Sequence, residues 1–233
     1  MKRFTSTLLL SKLALCISVA SAKENAALST ESYTKQEFSD AFSSSTLSKD
    51  WKLYKSASHV RDGVLVGIEE KDGGHAAVHG VQLKPFGDVE LNLDLKFAGS
   101  KATNLTFNEQ GFKDSHAGHI CRVIVTPTKV TLREGKTGNF KNEIYEMKKA
   151  GKLDDATRAL LKTKEASFPV KLKPDAWYAI SIRIQGDLMQ TFIDGKLVGS
   201  LRSEGIAHTT KNKIGLVTPG QEMHYDNVLV KTP

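Results

Sequence analysis

Period-two alternation dominates this chain. In WYAISIRIQ, Tyr178, Ile180, Ile182 and Ile184 fall on one face of an extended segment, and Ala179, Ser181, Arg183 and Gln185 fall on the other. DVELNLDLKF repeats the pattern, with Val89, Leu91, Leu93 and Leu95 opposed by Glu90, Asn92, Asp94 and Lys96. Each segment reads as a half-buried strand with one packed face and one wet face. Turn signals such as Asp62-Gly63, Asp72-Gly73-Gly74, Gly186-Asp187 and Asp194-Gly195 punctuate the chain at short intervals, as in all-β sandwiches and barrels. WYAISIRIQ, LMQTFI and KLVGSL are expected to form a three-strand meander.

Four features set the domain limits. Lys2 and Arg3, an apolar run and Ala20-Ser21-Ala22 form the pattern of a cleaved secretory signal over 1–22, which places the mature protein outside the cell or in a periplasm. The run is broken by Lys12 and is too short for a spanning helix, so no membrane span is expected after cleavage. Residues 23–37 are poor in apolar side chains and read as a flexible arm; 38–233 form one domain. The segment FKNEIYEMKKAGKLDDATRALLKTKEAS breaks the β pattern and reads as a helical insertion around 141–166, split at Gly151 and covering a sheet edge or a groove.

The formal charge of +7 includes Lys2, Arg3 and Lys12, which leave with the signal. The mildly basic remainder is dispersed and is no nucleic-acid footprint. Of the two cysteines, Cys16 lies in the signal, so Cys121 has no partner for an intramolecular disulfide.

The C-terminal half, AWYAISIRIQGDLMQTFIDGKLVGSL followed by TKNKIGLVTPG and MHYDNVLV, resembles a concanavalin A-like or laminin-G-like jelly roll. FSDAFSSSTLSKDWKLY followed by RDGVLVG is similar to the opening of the 3-keto-disaccharide hydrolase domain family, which is related to family-16 glycoside hydrolases. These resemblances imply a two-sheet antiparallel jelly-roll sandwich that acts on or binds carbohydrate. The chain departs from the family's Asn-Ser-Gly motif, reading KATNLTFNEQ in the comparable region, and it lacks the family-16 signature of spaced carboxylates. The activity implied is cleavage of keto-modified glycosides, which needs a base beside a carbonyl and a group to stabilise the enolate.

Candidate site residues cluster in DSHAGHICRV. On an unbroken strand His119 and Cys121 share a face about 6.7 Å apart, with Ile120 and Arg122 on the other. His116 belongs to the loop before it and could fold back beside His119, which makes the two histidines the candidate catalytic residues. A divalent metal on His116, His119 and Cys121 lacks a fourth ligand, and the spacing matches no strong zinc pattern; a metal cofactor stays open. Arg122 is the candidate for substrate binding, because a guanidinium grips hydroxyls or a carboxylate with paired hydrogen bonds. An ion pair with Glu90 or Asp94 is the competing role. Glu90, Asn92, Asp94 and Lys96 are expected to line the same groove, and His79, in GGHAAVHG, could line it too. Glu90 and Asp94 stand about 13 Å apart on a strand, too far for a retaining pair. A noncatalytic glycan-binding or laminin-G-like interaction module is the alternative reading.

Overall fold

The computed structural model describes residues 26–233; the signal expected over 1–22 and the first residues of the expected arm lie outside the described residues. In chain order the strands are β1 (Lys35–Asp40), β2 (Trp51–Tyr54), β3 (His59–Arg61), β4 (Val64–Gly67), β5 (Ala77–Phe86), β6 (Val89–Phe97), β7 (Thr103–Asn108), β8 (His119–Val125) and β9 (Lys129–Glu134). Helices α1 (Asn142–Lys149) and α2 (Asp155–Thr163) follow. The chain ends with β10 (Glu165–Pro169), β11 (Trp177–Gln185), β12 (Leu188–Ile193), β13 (Lys196–Arg202), β14 (Lys211–Thr218) and β15 (Met223–Thr232).

The strands make two antiparallel sheets, as expected for a jelly-roll sandwich. The front sheet has the order β10-β9-β8-β7-β14-β5-β2, and the back sheet β13-β12-β11-β6-β15-β4-β3, with β1 also paired to β15. The meander forms as expected: β11, β12 and β13 pair in succession, and Asp194-Gly195 turns with both residues at positive φ. Val89, Leu91, Leu93 and Leu95 of β6 and Ile180, Ile182 and Ile184 of β11 face Leu105, Val123 and Leu216 of the front sheet, all at most 2% exposed. Each such side chain contributes about 1.5–3 kcal/mol through burial, which suits a domain with no disulfide.

Three expectations are corrected here. Residues 26–37 are no free arm. Leu28 donates its N–H to the Gln190 side chain at 2.8 Å, Arg183 donates to Leu28 O at 2.7 Å, and β1 is a full partner of β15. Backbone hydrogen bonds hold this segment where apolar content alone would not.

The polar face of β6 does not meet Arg122. β6 is in the back sheet and β8 in the front sheet, because alternation fixes which way a side chain points but not which layer its strand joins. Glu90 is 3% exposed and pairs with Arg183 at 2.8 Å. Asn92 accepts from Ser181, Asp94 accepts from Asn227 at 2.8 Å, and Lys96 lies 5.1 Å from the Trp177 ring.

His79 is buried rather than groove-lining. Its Nδ1 donates to Leu216 O at 2.9 Å and its Nε2 lies 2.6 Å from the Ser58 hydroxyl. Gly67 makes room for it, since a Cβ there would stand 3.1 Å from the imidazole. Burial pushes its pKa down to about 4.

The helical insertion forms as two short helices, with Gly151 at positive φ between them. Asp154 caps α2 by accepting from Thr157 N at 2.7 Å. Among the described residues no helix is long and apolar enough to cross a membrane.

Candidate functional site

A cleft of about 830 Å³ lies on the outer face of the front sheet. Its floor follows from alternation in TNLTFN: Leu105 and Phe107 point into the core, which turns Asn104, Thr106 and Asn108 outward. Beside them β14 presents Lys213 and Val217. Gly215 opposes Thr106 in register, and a Cβ on Gly215 would stand 2.6 Å from the Thr106 hydroxyl, so the centre of the floor must stay bare.

One wall is the loop from Gln110 to Gly118, held at both ends. Glu109 N donates to Gly118 O at 2.9 Å, and Gly118 is at φ +69 with no space for a Cβ against Glu109 O. The loop is then stitched to the insertion: His116 N donates to Phe140 O at 2.8 Å, and the Asn142 amide donates to Lys113 O at 2.6 Å. Helix α1 therefore delivers Tyr145 to the rim, where its ring stacks on His116 at 3.8 Å with the planes 9° apart.

The expected alternation of β8 breaks at its first step. Asn108 is registered with His119 and Phe107 with Cys121, so Ile120 is the extra residue of a β-bulge. Ile120 and Cys121 both turn into the core, and His119 comes to share the outer face with Arg122. The bulge thus separates His119 from Cys121 and joins it to Arg122, the reverse of the pairing expected from an unbroken strand. Burial raises the Cys121 thiol to a pKa of about 12.

His119 and Arg122 are held by the same ring. Phe140 lies 4.4 Å from the His119 imidazole and 4.7 Å from the Arg122 guanidinium carbon. His119 Nδ1 is 2.9 Å from Asn108 Oδ1, while Asn108 Nδ2 donates to Thr106 Oγ1 at 3.1 Å. The second bond aims the amide oxygen at the imidazole, so Nδ1 carries the proton and Nε2 keeps the lone pair. Burial, aided by the positive charge of Arg122, lowers the His119 pKa to about 4. The ring is therefore neutral at ordinary pH, with the Nε2 lone pair free to accept a proton. Arg122 Nε is buried without a hydrogen-bond partner, and burial beside Arg133 brings the guanidinium pKa down to about 10.

The structure thus brings His116, His119 and Arg122 together and leaves Glu90, Asn92, Asp94, Lys96 and His79 elsewhere. Asn108, Thr106, Lys213, Phe140 and Tyr145 join the cleft without having been singled out from the sequence; the polar face of TNLTFN was the available signal for the first two. The donor set expected for a metal does not fit: Cys121 faces the core, and among the described residues no three His, Cys, Asp or Glu side chains converge. Among the described residues no Asp or Glu lines the cleft, so they build no pair of carboxylates across a glycosidic bond here.

A family model described as a 3-keto-alpha-glucoside-1,2-lyase-like domain matches residues 37–231. No curated protein sequence matches the chain. Among solved structures, a sialidase superposes with TM-score 0.59 at 14% identity over 86% of this chain, which spans only 19% of the sialidase. The endo-beta-1,3-glucanase from Pyrococcus furiosus gives TM-score 0.58 at 10% identity, covering 86% of this chain and 98% of that one. The carbohydrate-binding module CBM66 from Bacillus subtilis gives 0.52 at 12%, covering 80% and 99%. At these identities the likeness is one of fold.

Proposed function

Because the chain belongs to the 3-keto-alpha-glucoside-1,2-lyase-like family, we propose that it is an exported protein that cleaves 3-keto-glycosides by proton abstraction next to the keto group. The observation that carries this reading is a neutral histidine, with Nδ1 tied to Asn108, beside an arginine that among the described residues has no partner, in a cleft that none of their carboxylates lines. Export is inferred from the Lys2, Arg3 and Ala20-Ser21-Ala22 pattern.

In a 3-keto-glycoside the C2 proton is acidified by the adjacent carbonyl. His119 Nε2 takes that proton, and the C–H electron pair becomes the enolate of C2 and C3. Arg122 faces the developing oxyanion with donors that have no other partner, the condition under which such stabilisation is strongest. Collapse of the enolate forms the C1–C2 double bond and breaks the C1–O bond, and the leaving oxygen takes up the proton held by the His119 imidazolium, which returns the ring to its neutral form. Tyr145 and His116 form the aromatic rim against which a sugar ring rests.

Incubation of the purified protein with an aryl 3-keto-glucoside tests the proposal by aryl alcohol release. Turnover is expected, and His119→Ala should reduce it by about 10²–10⁴-fold, the usual contribution of a general base. No turnover alongside measurable glycan binding would assign the cleft to noncatalytic recognition, the reading favoured by the fold shared with CBM66.

A further inference from the structure

The cleft carries positive charge with nothing to balance it. Lys113, Arg122 and Lys213 all line it, together with His75, His116 and His119, and among the described residues no carboxylate does. Among the described residues none of the three cations forms an ion pair, whereas Arg133, next to Arg122 on β9, is paired with Glu165. Lys113 is exposed, but Arg122 and Lys213 are partly buried, and partly dehydrated charges left unpaired are costly, so a native cleft that keeps them in this state is arranged for a counter-charge from its ligand.

Hydrogen-bond inventory points the same way. A neutral sugar offers hydroxyls that must both donate and accept, and two acceptors of the floor are already engaged: Asn108 Oδ1 is taken by His119, and Thr106 Oγ1 receives the Asn108 amide. The floor is rich in donors with no partner, chiefly the Arg122 fork and the Lys213 ammonium. A carboxylate supplies acceptor sites only and matches that surplus.

Placement separates the two cations. Arg122 is registered with Thr106 and Lys213 with Asn108, so their strands flank β7 from opposite sides, with backbones two strand spacings or about 10 Å apart across the sheet. The Lys213 stem lies over Gly80, where a Cβ would stand 2.7 Å from its Cε, and the bare floor at Gly215 lies next to it. A sugar ring resting over β7 and β14 lies between the two side chains, and the flexible Lys213 stem can swing from Gly80 toward it. With Arg122 at the keto oxygen, Lys213 is left facing the far side of the ring.

We infer that the cleft selects an acidic saccharide, with Lys213 the residue that pairs with a carboxylate on the sugar ring. The inference rests on the carbohydrate reading above and names the substrate class within it.

Titration of the intact protein with aryl glucuronide, aryl glucoside and aryl glucoside 6-sulfate of one linkage tests this, with affinities followed by NMR. The glucuronide is expected to bind at least ten-fold more tightly than the glucoside, with the advantage shrinking as NaCl is raised. In Lys213→Met, which keeps the stem over Gly80, the ratio should fall to about two-fold or less, and Lys213→Arg should retain most of it. Equal affinity for acidic and neutral sugars, or a ratio unchanged in Lys213→Met, overturns the inference and leaves the carbohydrate reading standing. Preference for the 6-sulfate overturns the carboxylate assignment. Binding of none of the three overturns the carbohydrate reading itself.

Discussion

Asn108 on β7 accepts the Nδ1 proton of His119 on β8 at 2.9 Å, across the single bulged step of the ladder that joins the two strands. The same amide gives a proton to Thr106, so the imidazole is oriented by a side chain that is itself oriented. Exchanging the amide for a carboxylate changes the charge at that position and little else. In Asn108→Asp the histidine gains an anionic partner that favours its protonated form. The acid limb of kcat/KM on a 3-keto-glucoside, expected near pH 4 in the parent, should then move up by at least one pH unit, and Asn108→Leu should lower kcat about ten-fold or more. Identical pH profiles for parent and Asn108→Asp would show that Asn108 does not position the base.

Acid should weaken the fold in a defined window. His79 and His119 both titrate at about 4 in the folded protein, chiefly because they are buried. In the unfolded chain they take up protons as the pH falls through about 6.5. Between those values the unfolded state binds more protons than the folded one, so stability falls as pH falls, by at most about 1.4 kcal/mol per pH unit for each histidine. Urea midpoints measured from pH 7.5 to 5.0 should decline steadily below about pH 6.5, and the slope should lessen in His119→Phe. A flat profile across that range would show that the two rings take up protons in the native protein as readily as in the unfolded chain.

Glu90 ties β6 to β11 in the back sheet, on the layer away from the cleft. It accepts from Arg183 at 2.8 Å, and Arg183 also donates to Leu28 O and lies 4.1 Å from the Phe192 ring. Glu90→Ala strands a largely buried guanidinium and should cost about 3–5 kcal/mol of stability. Below its lowered melting temperature the variant should bind glycan like the parent. A loss of glycan affinity with an unchanged melting temperature would return Glu90 to the binding surface.

The reach of sequence reasoning is clearest on β6 and β8. Alternation in VELNLDLKF identified the inward residues of β6 correctly, and the same logic in TNLTFN orients Thr106 and Asn108. Alternation is a property of one strand, however, and pairing partners come from the far ends of the chain: β6 lies between β11 and β15. Nothing local tells Glu90 that it will meet Arg183 rather than Arg122. The bulge at Ile120 was equally hidden, because an extra residue becomes visible only against the register of the neighbouring strand. His79 was misplaced for a related reason, since its acceptable burial depends on Ser58, Leu216 and the space left by Gly67, all distant in sequence. Fold class, the meander and the helical insertion needed only patterns within a segment and were legible.

Cys121 should be chemically silent in the native state. Its side chain is buried among the apolar residues of the core and its thiol is pushed up to about 12 by burial. An aromatic disulfide reagent at pH 8 should leave the folded protein unlabelled for hours and modify it within minutes in denaturant. Prompt labelling of the native protein would place Cys121 on the surface, and with it the bulge that separates it from His119 would be wrong.

The insertion that brings Tyr145 and Asn142 to the rim enters and leaves at the edge of the front sheet, between β9 and β10, while the floor belongs to strands at the sheet's centre. The floor and the entrance of the cleft are thereby carried by separate modules of one chain. A graft that exchanges residues 142–163 for another helical pair would redraw the entrance while leaving the imidazole, the guanidinium and their supports in place, which gives an engineer a handle on selectivity that leaves the sandwich intact.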